Sequence, residues 1–292
     1  MFKGIILAGG EGTRLYPVTS SISKHLLPVY DKPMIFYSIS ILMLAGIKNI
    51  LIITTPRDLD QYKNLLGDGS NYGLNLQYET QAKPAGIADA FLVGKNFIGT
   101  SKVSLILGDN IFWGQGLTEI LGRACEREEG ATLFGYKVKD PGRFGIAEIN
   151  EKREVVSLEE KPSNPKSDIA ITGLYFYDNE VIDVAKTLKP SARGELEITD
   201  LNRIYLEQNK LYLEILGRGF AWLDTGTHAS LLEASTFVET IERRQGLKIA
   251  CLEEIAMRKK WLSSEQVLKR INNVQANEYF KYIIDLIENE KI

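Results

Sequence analysis

Apolar residues form two alternating kinds of run over the first 110 residues. "GIIL" (4–7) and "NILIITT" (49–55) are continuous apolar runs, typical of strands covered on both faces. Between them, "MIFYSISILMLAG" (34–46) has apolar residues at helical spacing and ends at Gly46, which suits a helix C-cap. The alternation continues through "DLDQYKNLLGDG" (helix), "LNLQYE" (strand), "IADAFLVGKNFI" (helix) and "KVSLILGDN" (strand). Repeated strand–helix–strand units predict a parallel sheet with right-handed crossovers.

The pattern changes after a further helical stretch, "GLTEILGRACEREEG". "ATLFGYKV", "FGIAEIN", "EVVSLEEKP" and "IAITGLYFYD" are strand-like, with no helical run between them, and they predict a β-rich insert at about 131–177. Helical patterns return later and dominate from Thr227 onwards. We therefore expect an α/β fold with a Rossmann-like, open, mixed but mostly parallel sheet flanked by helices. The core would be 1–226, the C-terminal helical segment 227–292, and the two would form a single structural unit.

The charge balance narrows the class of partner. There are 35 Lys and Arg residues against 38 Asp and Glu residues, for a net charge of −3, and this argues against a nucleic-acid-binding surface. No apolar run approaches the ~20 residues that span a bilayer. The first glycines come too early for a signal-peptide core, and Cys125 and Cys251 lack metal-type spacing. We expect a cytoplasmic protein that has no nucleic-acid or membrane partner.

The segment "LAGGEGTR" (7–14) follows the first predicted strand and combines bare backbone with a cation. It does not match a Walker A loop, because Gly10 stands where the lysine should be, and it does not match G-x-G-x-x-G, because Leu15 occupies the last position. Glycine amides followed by Arg14 and Lys24 could cradle phosphates at the carboxyl edge of the sheet. The other interpretation is a glycine turn with two surface cations. The position of Lys24 between this turn and a proline favours the first.

Two aspartates stand at the ends of apolar runs. Asp109 follows "SLILG" and Asp224 follows "GFAWL", and such carboxylates could hold Mg²⁺, although each alone could equally be a helix cap or a turn residue. Lys161 precedes Pro162, which predicts an extended backbone there, and "EEKP" alone would suit an exposed strand end. Trp222 is expected to belong to the core.

A longer string of motifs carries a family resemblance. "LAGGEGTRLYPVTSSISKHLLPVYDKPMI" is similar to the signature of the sugar nucleotidyltransferases, and the similarity continues in order through "ETQAKPAGIADAF", "LILGDNIFWG", "FGIAEI", "LEEKPSNPKS", "ITGLYFYDN", "SARGELEITDLN" and "GRGFAWLDTGTH". The resemblance covers nearly the whole chain. It implies transfer of dTMP from dTTP to glucose 1-phosphate, giving dTDP-glucose and pyrophosphate, with Mg²⁺ as cofactor.

The resemblance also implies roles for individual residues. The implied catalytic residues are Arg14 (leaving pyrophosphate), Lys24 (reacting phosphates), Asp109 and Lys161 (sugar phosphate). The implied metal ligands are Asp109 and Asp224. Nucleotide contacts are implied for Leu7, Gly9, Gly10, Gly12, Thr13, Arg14, Gln81, Gly86 and Asp109. Sugar-phosphate contacts are implied for Phe144, Gly145, Glu160, Lys161, Ile171, Thr172, Tyr175 and Arg193.

The C-terminal helices carry no obvious chemistry of their own. By the same resemblance they would build a homotetramer with a second nucleotide site, at which a dTDP-sugar inhibits the enzyme. The regulatory candidates are Arg218, Lys248, Glu254 and Arg258, although a charged helix face is more often simply solvated. Two residues depart from the family pattern: His25 stands where glutamine is common and Phe144 where tyrosine is common. We expect His25 to be a local hydrogen-bonding residue.

Other functions remain open at this point. A related pyrophosphorylase could use UTP, CTP or another sugar 1-phosphate. A glycosyltransferase would release a nucleoside diphosphate instead of pyrophosphate. A catalytically silent nucleotide-sugar sensor is disfavoured, because Arg14, Lys24, Asp109, Lys161 and Asp224 are all present.

Overall fold

A nine-stranded mixed sheet forms the centre of the computed structural model, which describes residues 1–10, 12–271 and 277–290. The strands of the chain, in order, are β1 (Phe2–Ala8), β2 (Pro28–Val29), β3 (Lys32–Pro33), β4 (Asn49–Thr54), β5 (Asn75–Thr80), β6 (Lys102–Leu107), β7 (Asn110–Trp113), β8 (Ala131–Lys137), β9 (Gly145–Ile149), β10 (Val155–Glu160), β11 (Ile169–Tyr177), β12 (Leu211–Leu216) and β13 (Ala221–Asp224).

The hydrophobic pattern predicted a parallel sheet, and its parallel part has the strand order β6-β1-β4-β5. Its register sets Leu7 beside both Ile53 and Leu107, so the strands end at one common edge. Helices cover both faces, and the central apolar residues of β1 and β4 are fully buried. The loops that follow Ala8 and Leu107 therefore leave the sheet side by side.

The four strands of the β-rich segment join this same sheet. β11 runs antiparallel to β6 and also pairs with β8 and β9, while β10 adds to β9. β12 then pairs with β8 in parallel. A separate antiparallel ribbon of β7 and β13 stands at the edge of the sheet, and the sequence pattern did not predict β7.

The helices lie on both faces of the sheet and along the C-terminal part of the chain. They are α1 (Ile35–Leu44), α2 (Leu59–Leu66), α3 (Asp89–Val93), α4 (Lys95–Ile98), α5 (Leu117–Glu126), α6 (Val181–Thr187), α7 (Ile198–Glu207), α8 (His228–Gln245), α9 (Leu252–Arg258), α10 (Ser264–Ile271) and α11 (Glu278–Glu290). None of the helices in the described ranges has the length and apolar character needed to cross a membrane.

The prediction of one continuous helix over 87–98 was wrong, because the structure divides this segment into α3 and α4 at Gly94. A Cβ on Gly94 would lie 2.9 Å from Ile5 Cδ1, so only glycine lets this segment pack directly on β1. Close packing on the sheet outweighs the helical periodicity at this position.

A buried ion-pair cluster ties α8 to the β2–β3 hairpin. Glu242 Oε1 accepts from Lys32 Nζ at 2.9 Å and from the Ile249 backbone N–H at 2.9 Å, and Glu242 Oε2 accepts from Lys248 Nζ at 3.1 Å. The side chains of Lys32 and Glu242 are 2% and 5% exposed. Two charges this deeply buried depend on each other, since an unpaired one would carry its full desolvation cost.

Glu242→Gln is therefore expected to lower the free energy of unfolding by about 2 kcal/mol, because it removes a charged hydrogen bond from a buried lysine. Chemical denaturation at pH 7 measures this loss. Glu239→Gln is the control: Glu239 lies almost one turn earlier on α8, and the side chain of its partner Arg243 is 61% exposed. This variant should lower the free energy of unfolding by less than about 0.5 kcal/mol. Equal losses for the two variants would contradict this role of the cluster.

Candidate active site

A cavity of about 420 Å³ opens where the loops after β1, β5 and β6 leave the carboxyl edge of the sheet. β9, β10 and α7 supply its far wall. Ligands of open α/β sheets bind at this edge. Fifteen of the residues predicted from the sequence line the cavity: Leu7, Gly9, Gly10, Arg14, Gln81, Gly86, Asp109, Phe144, Gly145, Glu160, Lys161, Ile171, Tyr175, Arg193 and Asp224.

The glycine loop presents bare backbone to this cavity. Gly10 has φ +102°, a value that L side chains rarely adopt, and nothing lies within 4 Å of the position that a Cβ would take. The open space in front of Gly10 is therefore available to a ligand. Gly12 turns the chain with φ +62°, and its carbonyl accepts from the Thr19 hydroxyl at 2.9 Å. Gly12 and Thr13, for which nucleotide contacts were also predicted, are not among the residues that line the cavity.

Lys24 and Asp109 form a close ion pair on one side of the cavity. Lys24 Nζ donates to Asp109 Oδ2 at 2.5 Å, and the lysine side chain is only 9% exposed. Burial raises the pKa of Asp109, but the Lys24 ammonium outweighs that effect and holds it below its usual range. Lys24 itself does not line the cavity. Its charge thus acts on the cavity from behind the Asp109 carboxylate.

The ribbon of β7 and β13 brings the second aspartate to the first. Asp224 is paired in register with Asn110, the neighbour of Asp109. The Thr225 hydroxyl and N–H both donate to the Asp109 carbonyl, at 2.9 and 3.2 Å, and lock the two chain segments together. Burial, together with the nearby charge of Asp109, raises the pKa of Asp224. The two carboxylates repel each other, and a divalent cation would relieve that repulsion.

Two carboxylates are enough for a magnesium ion. Within the described ranges, the chain assembles no group of three or more histidine, cysteine or acidic side chains with metal-binding geometry. Mg²⁺ usually takes one or two protein carboxylates and completes its shell with water and substrate phosphates. The two carboxylates of Asp109 and Asp224 match this usual coordination of Mg²⁺.

Asn110 was not predicted and holds three parts of the site together. Its Oδ1 accepts from the Trp222 indole N–H at 2.6 Å and from the Gly173 N–H at 3.0 Å. Its amide group donates to Asp109 Oδ1 at 2.9 Å. Trp222 packs against the apolar core, as predicted, but it also lines the cavity, which was not predicted. The indole lines the cavity beside Phe144, with ring centroids 5.1 Å apart, because its bond to Asn110 turns it to this face.

On the opposite wall, Glu160 and Lys161 stand at the end of β10. Lys161 Nζ lies 3.3 Å from Glu160 Oε1, and the Thr199 hydroxyl donates to Glu160 Oε2 at 2.7 Å. The extended backbone predicted for Lys161 was wrong, since its φ is +43°. Its N–H donates to the Phe144 carbonyl at 3.0 Å, and this contact to the β9 end outweighs the bias of a residue before proline.

Arg193 lies near this wall in a loop between α6 and α7. Its guanidinium donates to both oxygens of Glu197, at 2.9 and 3.1 Å, and lies 3.5 Å from Glu195. Its side chain is 51% exposed. The guanidinium is thus already oriented by α7 before an anion arrives.

At the other end of the cavity, Gln81 and Gly86 form a small polar wall. The Gln81 amide donates to Asp89 Oδ2 at 2.7 Å and to the Gly86 carbonyl at 3.4 Å. Gly86 has φ +96°, and a Cβ there would lie 2.3 Å from the Leu196 carbonyl oxygen. The chain therefore needs glycine here to approach the loop before α7.

The predicted Ile171 lines the cavity, whereas the side chain of the predicted Thr172 is fully buried and does not. Other cavity residues were not predicted, among them Gly173. Thr199 and Asn202 reach the site from α7, and Arg143 from the loop before β9. These residues reach the cavity only through the packing of the insert and α7, which no local pattern reveals.

A second cavity, of about 390 Å³, lies between α1, the loop after β7 and α9. Lys248, Glu254 and Arg258 line it, with Gly114, Gly116 and Cys251 among their neighbours. Arg258 donates to Glu254 Oε1 at 2.8 Å. The fourth regulatory candidate, Arg218, does not line this cavity. It lies in the nearby loop that carries Phe220, whose ring packs against Gly114.

Comparisons with known proteins show the family of this chain. The family model described as "Nucleotidyl transferase" matches residues 3–241. The glucose-1-phosphate thymidylyltransferase of Neisseria meningitidis serogroup A is 58% identical over 98% of this chain and 99% of its own length. That of Mycobacterium tuberculosis is 52% identical, with the same coverage.

Solved structures agree as well. A Bacillus anthracis protein described as a glucose-1-phosphate thymidylyltransferase, in complex with a sucrose, is 43% identical with a TM-score of 0.76, covering 81% of this chain and 95% of its own. A UDP-glucose pyrophosphorylase bound to UDP-glucose has a TM-score of 0.72 at 24% identity, covers 82% of this chain and all of its own, and supports the fold alone. The chain belongs to the nucleotidyl transferase family, in the group of the glucose-1-phosphate thymidylyltransferases.

Proposed function

We propose that this chain transfers dTMP from dTTP to glucose 1-phosphate and releases pyrophosphate, with Mg²⁺ bound by Asp109 and Asp224. One observation carries the proposal: a single cavity holds bare glycine backbone, two facing carboxylates, and cations on opposite walls. Two mutually repelling anions could meet there. The glucose-1-phosphate thymidylyltransferases to which the chain is similar supply the identity of the two substrates.

The reaction needs positioning more than proton transfer. An oxygen of the sugar phosphate attacks the α-phosphorus of dTTP, a new P–O bond forms, and the bond to the leaving pyrophosphate breaks. The attacking phosphate is already ionised at neutral pH, so no strong general base is required. Catalysis then rests on holding the two reactants in line and stabilising the charge of the transition state.

The nucleotide lies along the glycine loop in this proposal. The backbone amides at Gly9 and Gly10 approach the phosphates, and Arg14 meets the pyrophosphate that will leave. Gln81 and Gly86 face the base, where an amide can pair with a pyrimidine edge. When bound, Mg²⁺ supplies positive charge at the α-phosphate. Lys24 fixes one oxygen of the Asp109 carboxylate and adds positive charge from behind it.

The sugar phosphate occupies the opposite wall. Lys161 and Arg193 are two cations of this wall, and each is already held by a carboxylate, Glu160 or Glu197. Glu160 accepts from sugar hydroxyls, and Trp222 with Phe144 forms an apolar side to the sugar pocket. Both cations face the attacking phosphate, so they lower the repulsion between it and the nucleotide.

A substrate panel tests the proposal. Pyrophosphate release is measured with glucose 1-phosphate, Mg²⁺ and each of dTTP, UTP and CTP, and then with dTTP and other sugar 1-phosphates. We expect release with dTTP and glucose 1-phosphate that requires both substrates and stops when the metal is chelated. A clear preference for UTP or CTP, or for a different sugar, would assign the chain to a related pyrophosphorylase. If no pair of nucleotide and sugar 1-phosphate gave pyrophosphate, the result would indicate a protein that binds these ligands without catalysis.

We further propose that the second cavity is a regulatory site for a dTDP-sugar and that the protein works as a homotetramer. The cavity combines Lys248 and Arg258 with an apolar wall from α1, so it offers charge to a diphosphate beside space for rings. It is separate from the reaction cavity, with which it shares no lining residue. Binding there could change the rate only through the fold, which is the definition of a coupled second site.

The double variant Arg218→Ala with Arg258→Ala is expected to raise the inhibition constant of dTDP-glucose at least about fivefold, with little change in kcat. Initial rates at increasing dTDP-glucose measure this effect. Arg243→Ala, on the exposed side of α8, is the matched loss of an arginine and should leave inhibition unchanged. Inhibition equal to that of the wild type in the double variant would remove the proposed regulatory role.

A further inference from the structure

A buried phenol lies directly beneath the reaction cavity. Tyr62, on α2, is fully buried, and its ring belongs to the apolar core on that face of the sheet. Its oxygen lies 3.3 Å from the Ala8 carbonyl, 2.7 Å from Ser23 Oγ and 3.2 Å from His25 Nδ1. A buried hydroxyl among several polar groups is costly to assemble unless the groups are satisfied.

One arrangement of protons satisfies every partner. A phenol can donate one hydrogen bond and accept two. Tyr62 donates to the Ala8 carbonyl, which has no proton of its own, while the Ser23 hydroxyl and the Nδ1–H of His25 donate to the Tyr62 oxygen. His25 is buried, and the Nδ1–H that this arrangement requires is present in one neutral tautomer of the imidazole and in the imidazolium.

These three partners belong to segments that matter for the reaction. Ala8 ends β1 and leads into Gly9 and Gly10. Ser23 and His25 flank Lys24 on both sides in one short helical turn. Tyr62 thus connects the start of the glycine loop to the turn that carries the lysine.

The same turn also touches the segment of the metal-binding aspartate. The His25 ring lies against Gly108, where a Cβ would come within 2.7 Å of His25 Cδ2. Gly108 directly precedes Asp109, whose carboxylate accepts from Lys24 at 2.5 Å. The contact is so close that a shift of the imidazole would shift the backbone that carries Asp109.

We propose that the Tyr62 hydroxyl is a positioning group for nucleotidyl transfer: it sets the glycine loop, Lys24 and, through His25, Asp109 at their working separation. Tyr62, Ser23 and His25 do not line the cavity, so none of them is a catalytic residue. The inference rests on the proposed function. It explains why this chain can carry histidine beside its catalytic lysine, since an imidazole donates to the phenol and fills the space against Gly108.

Tyr62→Phe tests the inference, because it removes the hydroxyl and keeps the ring. We expect kcat to fall about tenfold, since small displacements of reacting groups are costly, and the Mg²⁺ concentration for half-maximal rate to rise several-fold. The KM for glucose 1-phosphate should stay within about twofold, because Glu160, Lys161 and Arg193 are on other elements. A loss of stability alone would not produce this division between kcat, metal dependence and KM.

Two further variants sharpen the test. Ser23→Ala removes a single oxygen from the same network, so it should lower kcat in the same direction even if Tyr62→Phe folds poorly, and the two changes should be less than additive when combined. Tyr205→Phe is the matched control. Tyr205 lies on α7, and its buried phenol donates to Asp178 Oδ1 at 2.9 Å. Its removal should lower stability without changing kcat or the metal dependence.

The outcomes separate this inference from the proposed function. If the wild type releases pyrophosphate from dTTP and glucose 1-phosphate while folded Tyr62→Phe and Ser23→Ala match it in kcat and metal dependence, the positioning role is wrong and the proposed function stands. If the wild type shows no release with any nucleotide, the proposed function fails first. A fall in kcat shared equally by Tyr205→Phe would also overturn the positioning role, because it would show a general effect of lost stability.

Discussion

Replacing Asp109 with asparagine is expected to lower kcat about a thousandfold, with pyrophosphate release from dTTP and glucose 1-phosphate as the measurement. The substitution keeps the shape of the side chain and removes its charge. It thereby takes away one of two carboxylates available to Mg²⁺ and leaves the ammonium of Lys24, whose side chain is 9% exposed, without its partner. Both losses act on the charge that surrounds the α-phosphate.

The control for this variant is Asp183→Asn on α6. Its side chain is 82% exposed and pairs only with Lys186 on the same helix in the described part of the chain. Activity should stay within about twofold of the wild type, as expected for a surface ion pair. Full activity in Asp109→Asn, with metal dependence unchanged, would show that the reaction does not use this carboxylate.

Lys161→Met is expected to lower kcat/KM for glucose 1-phosphate about a hundredfold and to change the KM for dTTP little. Its ammonium is one of the cations on the sugar-phosphate wall, beside Glu160. Methionine keeps the length and removes the charge. Initial rates with each substrate varied in turn separate the two effects.

Lys166→Met is the matched change, since Lys166 is 62% exposed and lies 3.9 Å from Glu148 outside the cavity. It should behave as the wild type. An equal rise in the KM of both substrates for Lys161→Met would contradict the assignment of this lysine to the sugar phosphate, because it would indicate a general disturbance of the cavity.

The sequence predicted the parallel core well because buried strands and amphipathic helices have distinct periods. "GIIL" and "NILIITT" became the central pair β1 and β4, and "DLDQYKNLLGDG" became α2 between Asp58 and Gly67. Such segments are determined locally, and the sheet only assembles them. Asp109, at the end of β6, could be located for the same reason.

The pairing of Asp109 with Asp224 could not be predicted from the pattern alone. It depends on the ribbon of β7 and β13, and "NIFW" is too short to show a strand period. Trp222 packs against the core as predicted, but its place in the cavity wall depends on its bond to Asn110, which no local pattern shows. Lys161 departs from the extended backbone of a residue before proline because the β9–β10 register holds its N–H.

The Tyr62 network illustrates a further limit of sequence reasoning. In the sequence, Tyr62 is one of several aromatic residues on the apolar face of a helix, and nothing distinguishes it from Tyr205. Only the fold shows that one hydroxyl meets the end of β1 and the turn that carries Lys24, whereas the other meets the Asp178 carboxylate. Motifs that touch substrate leave a pattern in the chain, whereas the groups that support them leave none.

The most direct test of the account is ³¹P NMR of dTTP and glucose 1-phosphate incubated with the protein and Mg²⁺. The account predicts that both substrates disappear together, that two coupled signals of a sugar nucleoside diphosphate appear, and that pyrophosphate forms in equal amount. Formation of dTDP with free phosphate would contradict the account. Unchanged substrates at a Mg²⁺ concentration that saturates the protein would contradict it as well.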